Sequence, residues 1–201
     1  MNITPLFPSL LLHERVEVPN SLVNTCIMLQ NEDTNGVTFS NCGGWQSNPF
    51  MHQHDDMKKY IDILTKSINL PTASYFNGLW ININYRGSHN KSHQHPQSDY
   101  SLVWYIKTPD NCGDIVFENP NLFTQFNSLQ RLNYPNYELD YRITPQVGDC
   151  YLFPSDLRHT VEENQSDGDR ISISANLVFV DSPQPVHLAA QQGDNPAMIT
   201  T

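Results

Sequence analysis

Residues 170–177 read Arg-Ile-Ser-Ile-Ser-Ala-Asn-Leu, a strict alternation of polar and apolar side chains. Alternate residues of a β-strand point to opposite faces. Arg170, Ser172, Ser174 and Asn176 therefore share one face, and Ile171, Ile173, Ala175 and Leu177 share the other. A helix would scatter both sets around its circumference. The segment demands a sheet with an apolar face to cover and a polar face that meets either water or an internal site. A closed barrel can turn such a polar face inward; the alternation alone leaves both readings open.

Six further runs have the same β-branched and aromatic character: 73–85, 100–107, 113–118, 138–144, 149–153 and 159–163. Turn chemistry separates them at Pro109-Asp110-Asn111, Pro145-Gln146-Val147-Gly148 and Ser166-Asp167-Gly168. Two helices precede them. One starts at Pro19-Asn20-Ser21, with Leu22, Cys26 and Leu29 on one face and Val23 and Ile27 beside them. The other carries Met57, Tyr60, Ile61, Leu64 and Ile68 at helical spacing, with Asp55 and Asp56 at its start and Pro71 at its end. Leu10 to Val18 suits a strand, and Asn31 to Asn48 reads as loop. The pattern predicts a mainly β protein: an antiparallel jelly roll with two or more N-terminal helices packed on one sheet. We expect a single domain over 1–201. Within it, 1–71 holds the first strand and helices, 72–181 the jelly roll, and 182–201 a loosely held tail. Residues 119–137 read as a long insertion loop suited to a lid.

Charge narrows the partners. With 21 acidic and 11 basic side chains the formal charge is −10, and no basic run offers a phosphate footprint. Nucleic acid and anionic membrane surfaces are not expected. A small molecule or a protein side chain is the expected substrate, and a homodimer stays open. Cys26, Cys42, Cys112 and Cys150 form no Cys-x-x-Cys pair, which fits reduced thiols in a cytoplasm. No signal-peptide pattern or bilayer-length apolar run is present.

The chemistry lies in histidines. In a strand, His93 and His95 at i, i+2 would reach one point from Cα atoms about 7 Å apart. His159 follows the Phe153-Pro154-Ser155 turn. Three ligands on one face of an octahedron suit a non-haem iron that must keep positions open for other molecules. The pair alone is equally compatible with a polar surface loop, since His89, His93 and His95 lie among Asn, Ser and Gln. Arg170 adds weight. A guanidinium holds a carboxylate through two parallel hydrogen bonds, and Ser172, on the same strand face, can add a third. A surface pair with Asp167 or Asp169 is the plainer reading of Arg170.

Several motifs carry a resemblance: His93-Gln94-His95-Pro96-Gln97-Ser98, Ser101-Leu102-Val103-Trp104-Tyr105, Phe153-Pro154-Ser155 to His159-Thr160-Val161, and Arg170 to Asn176. In this order they resemble the 2-oxoglutarate- and iron(II)-dependent oxygenase superfamily, in a bacterial and phage branch with H-x-H-P and R-I-S-I-S motifs. Gly43-Gly44-Trp45-Gln46-Ser47 also resembles that branch. The resemblance implies a double-stranded β-helix, the cupin-like form of the jelly roll, with Fe(II) held by His93 and His159. It implies 2-oxoglutarate with its far carboxylate on Arg170 and Ser172, helped by Tyr105, and its near end beside Asn82 or Asn84. It implies oxidation of a substrate C–H bond coupled to loss of carbon dioxide from 2-oxoglutarate.

His95 stands where the superfamily's carboxylate ligand is expected. It would complete a three-histidine face; Asp99, or no protein group at all, are the alternatives. Gly87 to Asp99 and Gly148 to His159 also resemble the two cupin motifs, whose jelly roll binds metal at the same place. A cupin has no reason to carry Arg170-x-Ser172. The sequence thus leaves three hypotheses: a 2-oxoglutarate oxygenase, a cupin-type metal enzyme without that cosubstrate, and a non-catalytic jelly-roll binding module.

Overall fold

The alternating segment becomes β11, Arg170–Phe179, and it sits inside a sheet rather than at its edge. It pairs antiparallel with β4 (Ser74–Asn84) on one side and with β6 (Tyr100–Lys107) on the other. The structure is a computed structural model that describes residues 9–68, 70, 74–121 and 139–180. The expected helix stop at Pro71, the lid beyond residue 121, the tail at 182–201 and the first eight residues lie outside the described residues.

The remaining elements follow in chain order. They are β1 (Leu12–Arg15), α1 (Asn20–Glu32), β2 (Asn41–Cys42), β3 (Trp45–Gln46), a 3-10 turn (Met51–Gln53) and α2 (Asp55–Ser67). After β4 come β5 (His89–His93), β7 (Ile115–Glu118), β8 (Asp140–Ile143), β9 (Asp149–Pro154) and β10 (His159–Val161). Two sheets result. The major sheet runs β1-β9-β6-β11-β4-β3 and the minor sheet β2-β5-β10-β7-β8. They face each other as the two halves of a double-stranded β-helix, the jelly roll read from the sequence.

The two faces of β11 divide the molecule. Ile171, Ile173, Ala175 and Leu177 join Leu79, Ile81 and Ile83 of β4 and Leu102, Trp104 and Ile106 of β6 in one core. The helices close this core with Leu22, Cys26 and Leu29 of α1 and Met57, Tyr60 and Leu64 of α2, all buried. Each fully buried side chain of this size contributes roughly 1.5–3 kcal/mol, so this layer fixes the major sheet firmly. Helix α2 starts with Asp55 and Asp56 in its first turn, where the helix dipole favours negative charge. A smaller apolar group lies between the sheets: Val103, Tyr105, Ile115, Phe117, Tyr151, Phe153 and Leu157.

Asp149 ties the edge strand β1 to the rest. Its carboxylate is 4 % exposed and accepts from Arg15 at 2.8 Å, the Tyr151 hydroxyl at 3.0 Å and the Gln146 N–H at 2.8 Å, with His13 at 2.9 Å. Burial would raise its pKa, but these bonds and the Arg15 charge outweigh it and hold the group below the usual carboxylate value.

Candidate active site

His93 and His159 are direct cross-strand partners in the antiparallel pair β5–β10. The register between these strands shifts: His159 faces His93, but Val161 faces Asn90. This bulge changes which side chains look inward. Asn90 and His93 are three apart and would normally point to opposite faces; here both line one cavity. The third imidazole arrives differently from the strand geometry expected for residues i and i+2. β5 ends at His93. His95 lies in the following segment, where its backbone N–H donates to the Ser155 carbonyl at 2.8 Å. That bond pins the segment to the end of β9 and swings the ring back beside the other two.

The three rings converge. Centroids lie 4.3 Å apart for His93 and His159, 4.9 Å for His93 and His95, and 5.2 Å for His95 and His159. One nitrogen of each lies within 4.8 Å of the others. Nδ1 of His93 faces the Lys91 carbonyl at 2.7 Å, and Nδ1 of His159 faces the Leu157 carbonyl at 3.0 Å. A carbonyl only accepts, so both Nδ1 atoms carry the proton and both Nε2 atoms offer a lone pair. Nε2 of His93 has the Ser40 hydroxyl at 3.4 Å, which in turn accepts from Asn90 Nδ2 at 3.1 Å.

Burial, the largest influence on each ring, disfavours the imidazolium. It brings His159 down to about 4 and, with the two neighbouring rings, His95 to about 3. His93 is also lowered, by burial and by the nearby Arg158 charge, against the pull of its Lys91 bond. All three are therefore neutral at pH 7 and ready to bind a cation. Such a nitrogen donor set suits iron, zinc, copper or nickel. No carboxylate belongs to this cluster among the described residues. Asp99, the alternative ligand, instead accepts from the Phe179 N–H at 2.8 Å at the end of β11.

Arg170 lies in the same cavity, 1 % exposed, and pairs with neither Asp167 nor Asp169. Nη1 donates to the carbonyls of Cys112 and Glu162, the second at 3.2 Å. Gly113 permits this convergence. Its φ is +85°, and an added Cβ would meet the Glu162 and Glu163 carbonyl oxygens at 2.6 and 2.8 Å. Nη2 has no partner, although it is buried; nor have the Tyr105 hydroxyl and Asn82 Oδ1. Tyr105 pairs with Ser172 across β6 and β11, and Asn82 pairs with Ser172 across β4 and β11. Asn82 Nδ2 donates to Ser174 Oγ at 3.2 Å. Burial lowers the Arg170 pKa and raises the Tyr105 hydroxyl well above its ordinary value. The guanidinium stays charged and the phenol protonated at neutral pH. Buried polar groups are rarely left unpaired. A cation with a free arm, a free hydroxyl and the Ser172 hydroxyl on the same face together make a donor set that fits a carboxylate.

His93, His95, His159, Arg170, Ser172, Tyr105 and Asn82 all line one cavity of about 600 Å³. Asn84 lines it too, with its Nδ2 3.5 Å from Asn90 Oδ1. Sequence reasoning missed Ser40, Trp80 and Asn90, and named Gln46 only within a resembling stretch, with no role in the site. Ser40 and Gln46 lie in the stretch read as loop. Their only signal is the neighbouring Gly43-Gly44, both at positive φ, which turn β2 into β3 and bring Gln46 beside Asn82.

Residues 78–176 match the family model described as "Putative 2OG-Fe(II) oxygenase". No curated protein matches the sequence. Among solved structures, the fold is similar to the non-heme alpha ketoglutarate dependent epimerase SnoN from nogalamycin biosynthesis. The TM-score is 0.61 at 12% identity over 94% of this chain and 86% of that one. It is similar to a Pseudomonas putida prolyl-4-hydroxylase, with TM-score 0.52 at 12% identity over 85% and 93%. A Trichoplax adhaerens prolyl hydroxylase gives 0.57 at 12% identity over 84% and 83%. The chain spans about half, 55%, of the length of a 2OG-Fe(II) oxygenase-family oxidoreductase from Burkholderia pseudomallei. Likeness at this identity speaks for the jelly roll; the matched family stretch runs from within β4 to within β11 and takes in the three histidines and Arg170. On those grounds the chain belongs to the 2-oxoglutarate- and iron(II)-dependent oxygenase superfamily.

Proposed function

We propose that this chain is an iron(II)- and 2-oxoglutarate-dependent oxygenase that hydroxylates a small molecule or a protein side chain. His93, His95 and His159 hold the metal, and Arg170 holds the cosubstrate's far carboxylate. One observation carries the reading: a buried guanidinium and a buried phenol, both with unpaired donors, open into the cavity where three neutral imidazoles converge. Bound iron(II) and 2-oxoglutarate supply the oxidising chemistry, in which dioxygen is divided between succinate, formed with carbon dioxide, and a substrate C–H bond.

The chain's own residues bind, orient and exclude water. His93 and His159 present Nε2 because backbone carbonyls hold their Nδ1 protons. His95 supplies the third nitrogen in place of a carboxylate, so the metal keeps more of its positive charge. Arg170 Nη2 and the Tyr105 hydroxyl donate to the far carboxylate, and Ser172 adds a third donor from the adjacent register. Asn82 presents an unpaired acceptor and a donor near the other end. Phe117 and Phe153, packed 6.0 and 4.8 Å from the His159 ring, keep water from that side of the site. A cupin-type metal site has no use for the Arg170 arrangement, which is why we place that reading second. Carbocyclases, epimerases and hydroxylases share this fold, so the primary substrate has to be sought in the cavity itself.

The test is succinate formation from 2-oxoglutarate with Fe(II) and ascorbate. Wild type should release succinate, and Arg170→Ala should not. Equal 2-oxoglutarate binding by the two proteins removes the proposal.

A further inference from the structure

We infer that the primary substrate is a small organic anion, a carboxylate or similar group on a flat apolar body; the inference rests on the oxygenase reading of the same site. The first argument is the placing of charge. The chain carries 21 acidic residues, yet none lines the cavity among the described residues. Two cations do: Arg170 inside and Lys91 at the rim. Five basic residues elsewhere are paired: Arg15 with Asp149, Lys58 with Asp55, Arg86 with Asp167, Arg142 with Glu162 and Arg158 with Glu118; Lys59, Lys66 and Lys107 form no ion pair among the described residues but lie outside the cavity. No such pair involves Lys91 or Arg170 among the described residues.

The second argument is a charge balance. Iron(II) and the 2-oxoglutarate dianion cancel. Three imidazoles add no charge, whereas a carboxylate ligand would add one negative charge. The loaded cavity therefore keeps a net positive charge from Arg170 and Lys91, in a partly desolvated space where an unbalanced charge matters more than in water. An anionic substrate restores neutrality; a cationic one would meet the metal and Lys91 together.

The third argument is the rim. Phe39 is 70% exposed, and Trp80 stands 5.5 Å from His95, ring centre to ring centre. Pro49 and Pro96 add apolar surface to the same cavity that Lys91 lines. Half-buried Trp80 beside the His95 ring, with exposed Phe39 on the same cavity, offers a stacking surface for a planar or aliphatic body. Lys91, carried on the bulged strand β5 two residues before His93, reaches the anionic end.

Isothermal titration of protein saturated with Mn(II) and 2-oxoglutarate tests this, because Arg170 is then already occupied and no turnover occurs. The probes are hydrocinnamate, its alcohol and its amine counterpart, which share a body and differ in charge. Hydrocinnamate should bind about tenfold more tightly than the alcohol, and the amine should bind least. Lys91→Gln should bring hydrocinnamate to the level of the alcohol while leaving 2-oxoglutarate affinity unchanged. Equal binding of acid and alcohol, no binding of the acid at millimolar concentration, or a preference that survives Lys91→Gln overturns the inference. Failure of 2-oxoglutarate itself to bind the Mn(II) protein, seen before any probe is added, overturns the oxygenase reading and this inference with it.

Discussion

Replacing Arg170 with lysine separates charge from geometry. In the wild type, Nη1 is committed to the Cys112 and Glu162 carbonyls, and the buried Nη2 has no partner. A lysine ammonium keeps the positive charge and can still serve the two carbonyls, so the fold should survive. It lacks a second, separately aimed nitrogen for the cosubstrate. The loss is one hydrogen bond to a charged group, about 1.5–3 kcal/mol, which is roughly 10- to 150-fold in Kd. Calorimetry on Mn(II)-loaded protein reads this directly. 2-Oxobutyrate, which keeps the keto-acid end and lacks the far carboxylate, should bind both proteins alike. An unchanged 2-oxoglutarate affinity in Arg170→Lys would refute the assignment. So would an equal loss for 2-oxobutyrate, which would mean that the residue acts on the whole site rather than on one carboxylate.

Three more outcomes follow from the same geometry. Tyr105→Phe removes a buried hydroxyl that has no partner, so thermal stability should hold or rise slightly while 2-oxoglutarate binds about 5- to 10-fold more weakly; a drop in Tm without a change in binding would contradict this. Because the three imidazoles are already neutral, metal affinity should be level from pH 8 to about pH 6, near the ordinary histidine pKa of about 6.5, and fall only in more acidic solution; a steep loss across pH 7–6 in a metal titration would count against it. Asp149→Asn should cost about 2 kcal/mol, or about 4–8 °C in Tm. Asp149 has a lowered folded pKa, so its stabilisation is full above the unfolded value of about 3.9 and is lost as pH falls through the folded value. The gap between wild type and Asp149→Asn should therefore be constant above about pH 5 and close below about pH 4, as thermal melts at several pH values would show.

The alternation at 170–177 set the strand and its two faces correctly, because period-two patterning survives any tertiary context that keeps one face apolar. It could not say that the polar face looks inward. That follows from β4 and β6 on either side: Asn82, Asn84 and Tyr105 alternate in phase with Arg170 and Ser172. The helical stripes were equally legible, down to Leu22, Cys26 and Leu29. The histidines were identified by residue type and order, but their delivery was not. A bulge opposite Thr160 and a backbone bond from His95 to Ser155 depend on contacts between segments some sixty residues apart, and no local pattern encodes them. Ser40 and Gln46 were hidden for a related reason. Ser40 directly precedes β2 and Gln46 lies on β3, two short strands that form by pairing with β5 and β4.

The strand-borne histidines proposed to hold the metal and the arginine proposed to anchor the carboxylate sit on opposite walls of the jelly roll. His93 and His159 belong to the minor sheet, and Arg170 and Tyr105 to the major one that the helices brace. A diacid gripped at both ends would act as a rivet through the sandwich. Metal alone should quieten amide exchange in β5 and β10 only, whereas metal and diacid together should slow both walls. Breathing of the lightly covered wall against the braced one would then be the natural route by which succinate leaves.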